Sequence, residues 1–248
     1  MNGLSRDELL ARRRRFRLLG TGIALVAFLL YAVLASGSEN GGGGAGGGKE
    51  DRPDVACDGE QPPAAEPQQY DEPATVLRDG VDYGAVITTS CGEIVLDLLE
   101  EQAQTNVNNF MFLASEGFYD GLAFYRVERN SVIATGDPNN EIFEEPDGPG
   151  YTITDELPGE PNDYVFGVVA MANEGRPDSA GSQFFIVTHE NRPAGYQLAY
   201  SIFGVVGEES YEVLREISNL ETRGGREPIE AVQPIAPVYV ESIEITEN

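Results

Sequence analysis

The chain has 248 residues, 41% of them apolar, with 16 Lys plus Arg against 42 Asp plus Glu and a formal net charge of −26. From Tyr70 onward there are 8 Arg, no Lys and 33 acidic residues, and a surface of that sign repels phosphate backbones, which excludes a nucleic-acid-binding role. One His (His189), two Cys (Cys57 and Cys91) and no Trp leave too few ligands for an ordinary four-coordinate zinc site, and any Ser/His/Asp chemistry would have to use His189. No metal and no cofactor are expected.

Residues 1–17 carry six arginines (Arg6, Arg12, Arg13, Arg14, Arg15, Arg17) and read as a cytoplasmic tail. Residues 18–35 (LLGTGIALVAFLLYAVLA) hold no charge. As a helix they reach about 27 Å, close to the ~30 Å hydrocarbon core. The arginines mark the cytoplasmic side, so the bulk of the chain is expected outside it as a single-pass membrane protein. A signal peptide cleaved after Val33-Leu34-Ala35, giving a secreted product, is the competing reading. Residues 36–80 are rich in Gly, Pro and acidic side chains and predict a disordered linker. The folded domain is expected over residues 81–248.

Cys57 falls near the end of the linker and Cys91 early in the domain. An even count in an oxidising compartment allows one disulfide, and two free thiols are the other reading. Segments 85–89 and 94–98 flank Ser90-Cys-Gly-Glu93 and predict a hairpin. Residues 105–115 place Val107, Phe110, Met111 and Ala114 at helical spacing, with Gly117 as the stop. Strand-like runs follow at 123–128, 132–135, 165–172, 184–187 and 202–206. Residues 209–219 predict a second helix with Val213, Leu214 and Ile217 inward, and 239–246 alternates as a closing strand. Short strands, Gly-rich turns and two helices predict a mainly β barrel capped by helices.

Three stretches carry candidate chemistry: Phe124-Tyr-Arg126-Val followed by Gly136-Asp137-Pro138; Gly148-Pro-Gly-Tyr151; and Val169-Ala-Met-Ala172-Asn173 followed by GSQFFIV from Gly181. Alternate residues of a strand share a face, so Gln183 and Phe185 project together while Phe184 and Ile186 face the other way. An amide beside an aromatic ring makes a lip for a ligand of mixed polarity. Arg126 is one of only eight cationic side chains from Tyr70 onward and lies within a strand.

From about Val81 to Thr246 the chain resembles the cyclophilin-type peptidyl-prolyl cis-trans isomerases. The segments GEIVLDL, TNVNNFMFLA, GFYDGLAFYRV, GDP, GPGYTITDE, VAMAN, GSQFFIV and IFGVV occur in the family's order, and VAMAN with GSQFF is highly specific. The resemblance implies a closed eight-stranded antiparallel β-barrel capped by two α-helices, with a proline-binding groove on its outer face. It implies rotation about X–Pro bonds with Arg126 as the catalytic group and Gln183, Phe185, Ala172, Asn173, Val132 and Tyr200 as substrate-binding residues. Gln183 would hold the substrate carbonyl, Phe185 would floor the proline pocket, and the backbone of Ala172 and Asn173 would bond the peptide.

The chain departs from the family pattern at Ser131, which stands where a pocket Phe belongs, at Ala134, which stands for Gln, and at Tyr200, where many members have His. Two readings therefore stand side by side. One is a membrane-tethered isomerase assisting the folding of exported or cell-surface proteins, with a monomeric domain and proline-containing polypeptides as partners. The other is a catalytically weak or inactive module that binds proline-containing segments.

Overall fold

The computed structural model describes residues 56–60, 62–63, 68–139, 148–158, 163–190, 199–225 and 231–248. The Arg-rich tail and residues 18–35 lie outside them; among the described residues no helix is long and apolar enough to cross a membrane. Eight strands, β1 (Tyr83–Thr89), β2 (Gly92–Leu98), β3 (Arg126–Glu128), β4 (Val132–Thr135), β5 (Val168–Met171), β6 (Phe184–Val187), β7 (Ile202–Val206) and β8 (Val240–Glu247), form one antiparallel sheet. Helix α1 (Gln104–Ser115) follows β2, and helix α2 (Tyr211–Ser218) follows β7.

The strand order is β3-β4-β6-β5-β7-β2-β1-β8. No ladder joins the outer strands β3 and β8. The segment before β3 instead lies on β8 through the Ala123–Tyr239 bridge and the bonds Phe124 N–H to Val238 O and Gly121 N–H to Val240 O, both 2.8 Å. The closed barrel implied by the resemblance is therefore a half-barrel whose end strands are unpaired with each other, and only this short irregular seam crosses between them. Its cause is local: Val127 points into the core and Arg126 outward, yet Tyr125 also joins the outer cluster. Two successive side chains on one face break the alternation that a ladder needs, so β3 starts three residues later than predicted.

Inside the sheet, Phe110 of α1 packs against Tyr119, Phe184 and Phe203 at centroid distances of 5.6, 5.7 and 5.1 Å. Its geometry is that of tilted and edge-on rings, the favoured aromatic contacts. The first amides of α1 lack a local side-chain cap; Glu156, fifty residues on, accepts the N–H groups of Thr105 and Asn106 at 3.0 and 2.9 Å. A carboxylate there satisfies two orphan donors and opposes the positive end of the helix dipole. In α2, Leu214 and Ile217 are buried as predicted, whereas Val213 is half-buried.

The linker expected to run to residue 80 docks well before that point. Tyr70 stacks edge-on against Phe112 at 5.0 Å and donates its N–H to Pro149 O. Asn108 of α1 accepts the N–H groups of Val76 and Leu77 through Oδ1 and donates Nδ2 to Ala74 O. Farther upstream, Cys57 is bonded to Cys91 with Cα atoms 5.0 Å apart, and buried Ala56 donates its N–H to Pro237 O. The composition of 36–80 hides a few apolar anchors, Tyr70, Val76 and Leu77, that find a surface on the barrel.

Candidate active site

The site is built by register. Arg126 faces Ala134 across β3–β4, Ala134 faces Phe185 across β4–β6, and Phe185 faces Ala170 across β6–β5. Directly opposed residues point to the same side of a sheet, and strands lie about 4.8 Å apart. Arg126 and Phe185 therefore share one outward row, two strand spacings or about 10 Å apart, with only the Ala134 methyl between them. Cluster membership agrees: Phe185, Val187, Val132, Ala134, Val168 and Ala170 form an outer cluster, while their neighbours Phe184, Ile186, Ile133 and Val169 lie in the inner core. Gln183 is two residues before Phe185, so it stands beside the same row.

Phe185 is 7% exposed and meets Tyr200 edge-on at 5.2 Å. Tyr200 is fixed in turn by Tyr164, whose hydroxyl donates to Tyr200 O at 2.7 Å and accepts Tyr200 N–H at 3.1 Å. Burial pushes the Tyr164 phenol up to about 12, so it remains a neutral donor at ordinary pH. Val132 supplies a buried wall in the same cluster.

Gln183 is clamped from both ends. Its Oε1 accepts the Tyr125 hydroxyl at 2.8 Å and its Nε2 donates to Asp137 Oδ2 at 3.1 Å. This fixes which end of the amide points where, and leaves one of two N–H bonds beyond the one given to Asp137. Asp137 reaches Gln183 because Gly136 turns the chain at φ +92°, where a Cβ would come within 2.5 Å of Ser182 O. Only glycine fits there. Ser182 Oγ donates to Gly136 O at 2.7 Å and locks the approach.

Arg126 is mostly buried, with 21% of its side chain exposed, and its Nη2 lies 2.6 Å from Glu128 Oε2. Its charge is felt by both neighbouring phenols. Burial and Asp137 raise Tyr125 and Arg126 pulls it back; burial raises Tyr200 and Arg126 again opposes.

Arg126, Gln183, Phe185, Val132 and Tyr200 are thus brought to one outer face, with Ala172 at its margin. Both marginal positions carry hydrogen bonds of their own. Ala172 spends its N–H on Gln183 O at 2.9 Å, continuing the β5–β6 pairing. That amide cannot serve a peptide unless the pairing opens. The Asn173 side chain is likewise engaged, donating to Ala199 O at 2.7 Å and accepting Gly175 N–H at 3.1 Å. Ser131 lies in the β3–β4 turn, its N–H on Glu128 O and its carbonyl accepting Thr188 N–H; it contributes no ring to the pocket. Sequence reasoning placed Tyr125 and Asp137 in the stretches that carry chemistry without giving them a role, and missed Glu128 and Tyr164. Glu128 was findable, since it follows Arg126 by two residues in a strand; the role of Tyr125 was not, because alternation directs it inward.

The family profile described as "Cyclophilin type peptidyl-prolyl cis-trans isomerase/CLD" matches residues 85–244. The chain is 41% identical over 127 residues to peptidyl-prolyl cis-trans isomerase B of Bacillus subtilis, covering 51% of this chain and 84% of that one. It is 42% identical over 102 residues to a peptidyl-prolyl cis-trans isomerase of Helicobacter pylori, covering 41% and 60%. Among solved structures, a cyclophilin type peptidyl-prolyl cis-trans isomerase of Cryptosporidium parvum, with the dipeptide Ala-Pro present, superposes with a TM-score of 0.57 at 26% identity, covering 66% of this chain and 99% of that one. The chain belongs to the cyclophilin-type peptidyl-prolyl cis-trans isomerase family.

Proposed function

We propose that this protein rotates X–Pro peptide bonds on the face formed by Arg126, Gln183 and Phe185. The observation that carries the reading is the shared row, with a guanidinium and an aromatic floor about 10 Å apart across three strands. A proline ring resting on Phe185 and Tyr200 brings its imide nitrogen toward Arg126. The barrier of ~18–20 kcal/mol arises because the nitrogen lone pair is delocalised into the carbonyl. Twisting localises that pair on nitrogen, and a guanidinium aimed at it stabilises the twisted state more than the planar one. The remaining N–H of Gln183 can hold the substrate carbonyl, and the backbone of Asn173 can bond the peptide beyond the proline. No covalent step and no proton transfer to substrate are needed.

The acidic, tethered organisation extends the reading to location. Residues 18–35 anchor the chain, residues 1–17 stay in the cytoplasm, and the domain works on exported or cell-surface polypeptides. The charge asymmetry around residues 18–35 supports this orientation. Protease added to spheroplasts is expected to remove the domain; protection behind a sealed membrane contradicts it. For the chemistry, a protease-coupled proline isomerisation assay on the full chain in detergent decides. Rate enhancement supports the isomerase. Peptide binding without enhancement makes the protein a proline-binding module, a reading favoured by the missing aromatic at Ser131.

A further inference from the structure

We propose that Glu128 is the positioning residue that aims the Arg126 guanidinium. This inference rests on the isomerase reading and deepens it. A long, four-torsion side chain is useful in catalysis only if it is held, because small misplacements at a reacting group cost large factors in rate. The residue directly across the ladder from Arg126 is Ala134, which offers a methyl and no hydrogen-bond acceptor. Support comes instead from along the strand. Glu128 follows by two residues, shares the outward face, and holds Nη2 at 2.6 Å in a charge-assisted bond.

The backbone that carries the carboxylate is held at the edge of the sheet, while the Glu128 side chain is 41% exposed. β3 is the terminal strand, and the Glu128 backbone carbonyl accepts Ser131 N–H in the β3–β4 turn. Its backbone lies in register with Val132, a buried member of the outer cluster. The acceptor is therefore carried by a strand tied to the wall of the proline pocket. Glu128 touches no substrate in this scheme; it acts through Arg126.

The test uses the full chain in detergent micelles, with a proline-containing tetrapeptide whose own NMR signals report cis–trans exchange and affinity separately. Labelling arginine with ¹⁵N adds a readout of the Arg126 guanidinium that does not depend on turnover. Glu128→Ala is expected to lower catalysed exchange at saturating peptide on the order of tenfold. Peptide affinity and melting temperature are expected to hold, and the Arg126 N–H signals to broaden or average. Glu128→Gln keeps an acceptor in the same place and is expected to recover the guanidinium signals and much of the rate. The proposal is overturned if Glu128→Ala keeps both sharp Arg126 signals and wild-type exchange, or if the rate falls only in step with melting temperature. It is also overturned if Glu128→Gln behaves like Glu128→Ala. Should the wild-type protein not exchange the peptide at all, the isomerase reading fails, while the Arg126 signals in the Glu128 variants still decide whether Glu128 holds the guanidinium.

Discussion

The two faces of β4, β5 and β6 are made from the same twelve residues and do different work. Inward, Phe184, Ile186, Ile133, Val169 and Met171 join a continuous apolar core with Phe110 and Phe203. Outward, Phe185, Val187, Val132, Ala134, Val168 and Ala170 make a smaller cluster whose rim carries Arg126, Gln183 and Tyr200. The inner face is closed by helix α1 and by rings on every side. On the outer face the polar groups are fixed by clamps: Tyr125 and Asp137 on Gln183, Tyr164 on Tyr200, Glu128 on Arg126. A strand buried on both faces can thus give one side to stability and the other to binding.

The sharpest way to break this contrast is a pair of adjacent truncations. Phe184→Ala removes a fully buried ring in contact with Phe110, Tyr119 and Phe203, and is expected to cost about 3–5 kcal/mol of stability. Denaturant unfolding measures this. Phe185→Ala is expected to cost clearly less stability, but to weaken peptide binding by roughly 1.5–3 kcal/mol. Equal stability losses with unchanged peptide affinity would erase the division between the faces.

Reducing the Cys57–Cys91 disulfide tests a region remote from the row, since Cys91 lies in the β1–β2 turn and the row spans β3, β4, β6 and β5. Releasing this 34-residue closure is expected to cost about 2–4 kcal/mol. The isomerisation rate well below the melting temperature should be unaffected; a rate that falls on reduction would connect the strap to the site.

An alkaline titration sharpens the account of the clamps. Tyr164 has its folded value raised from 10.0 to about 12, mainly by burial. The unfolded phenol ionises first, so the contribution of Tyr164 is whole below pH 10 and is lost as pH rises toward 12. Denaturation midpoints across that window should fall less steeply in Tyr164→Phe than in wild type. An identical slope would mean that the phenol is not held neutral by the fold. The smallest effect is expected for Tyr125→Phe, which deletes one hydrogen bond to Gln183 and should cost about 1 kcal/mol. Its signature is a freed Gln183 side-chain amide by NMR, with Arg126 unmoved.

Most of the fold was legible because short apolar runs bounded by turn residues leave little choice. The runs 132–135, 184–187 and 202–206 coincide with β4, β6 and β7. The shared orientation of Gln183 and Phe185 also followed from the period of two. The start of β3 did not, because Tyr125 breaks alternation to reach Gln183, a partner 58 residues away. The docked segment around Tyr70 to Leu77 was hidden for a similar reason: its anchors are few, and the surface that receives them belongs to α1. At the site, residue types were readable from the motifs. The clamps were not, since Asp137 and Tyr164 act through contacts that only the assembled sheet brings within reach.

The central claim is that the outward row turns over proline bonds through the Arg126 guanidinium, and one comparison tests it most directly. Peptide exchange and peptide affinity are measured side by side for wild type and Arg126→Ala. The account predicts a loss of ~100-fold or more in catalysed exchange with affinity and melting temperature nearly unchanged. Exchange that proceeds at the wild-type rate without Arg126 would contradict it.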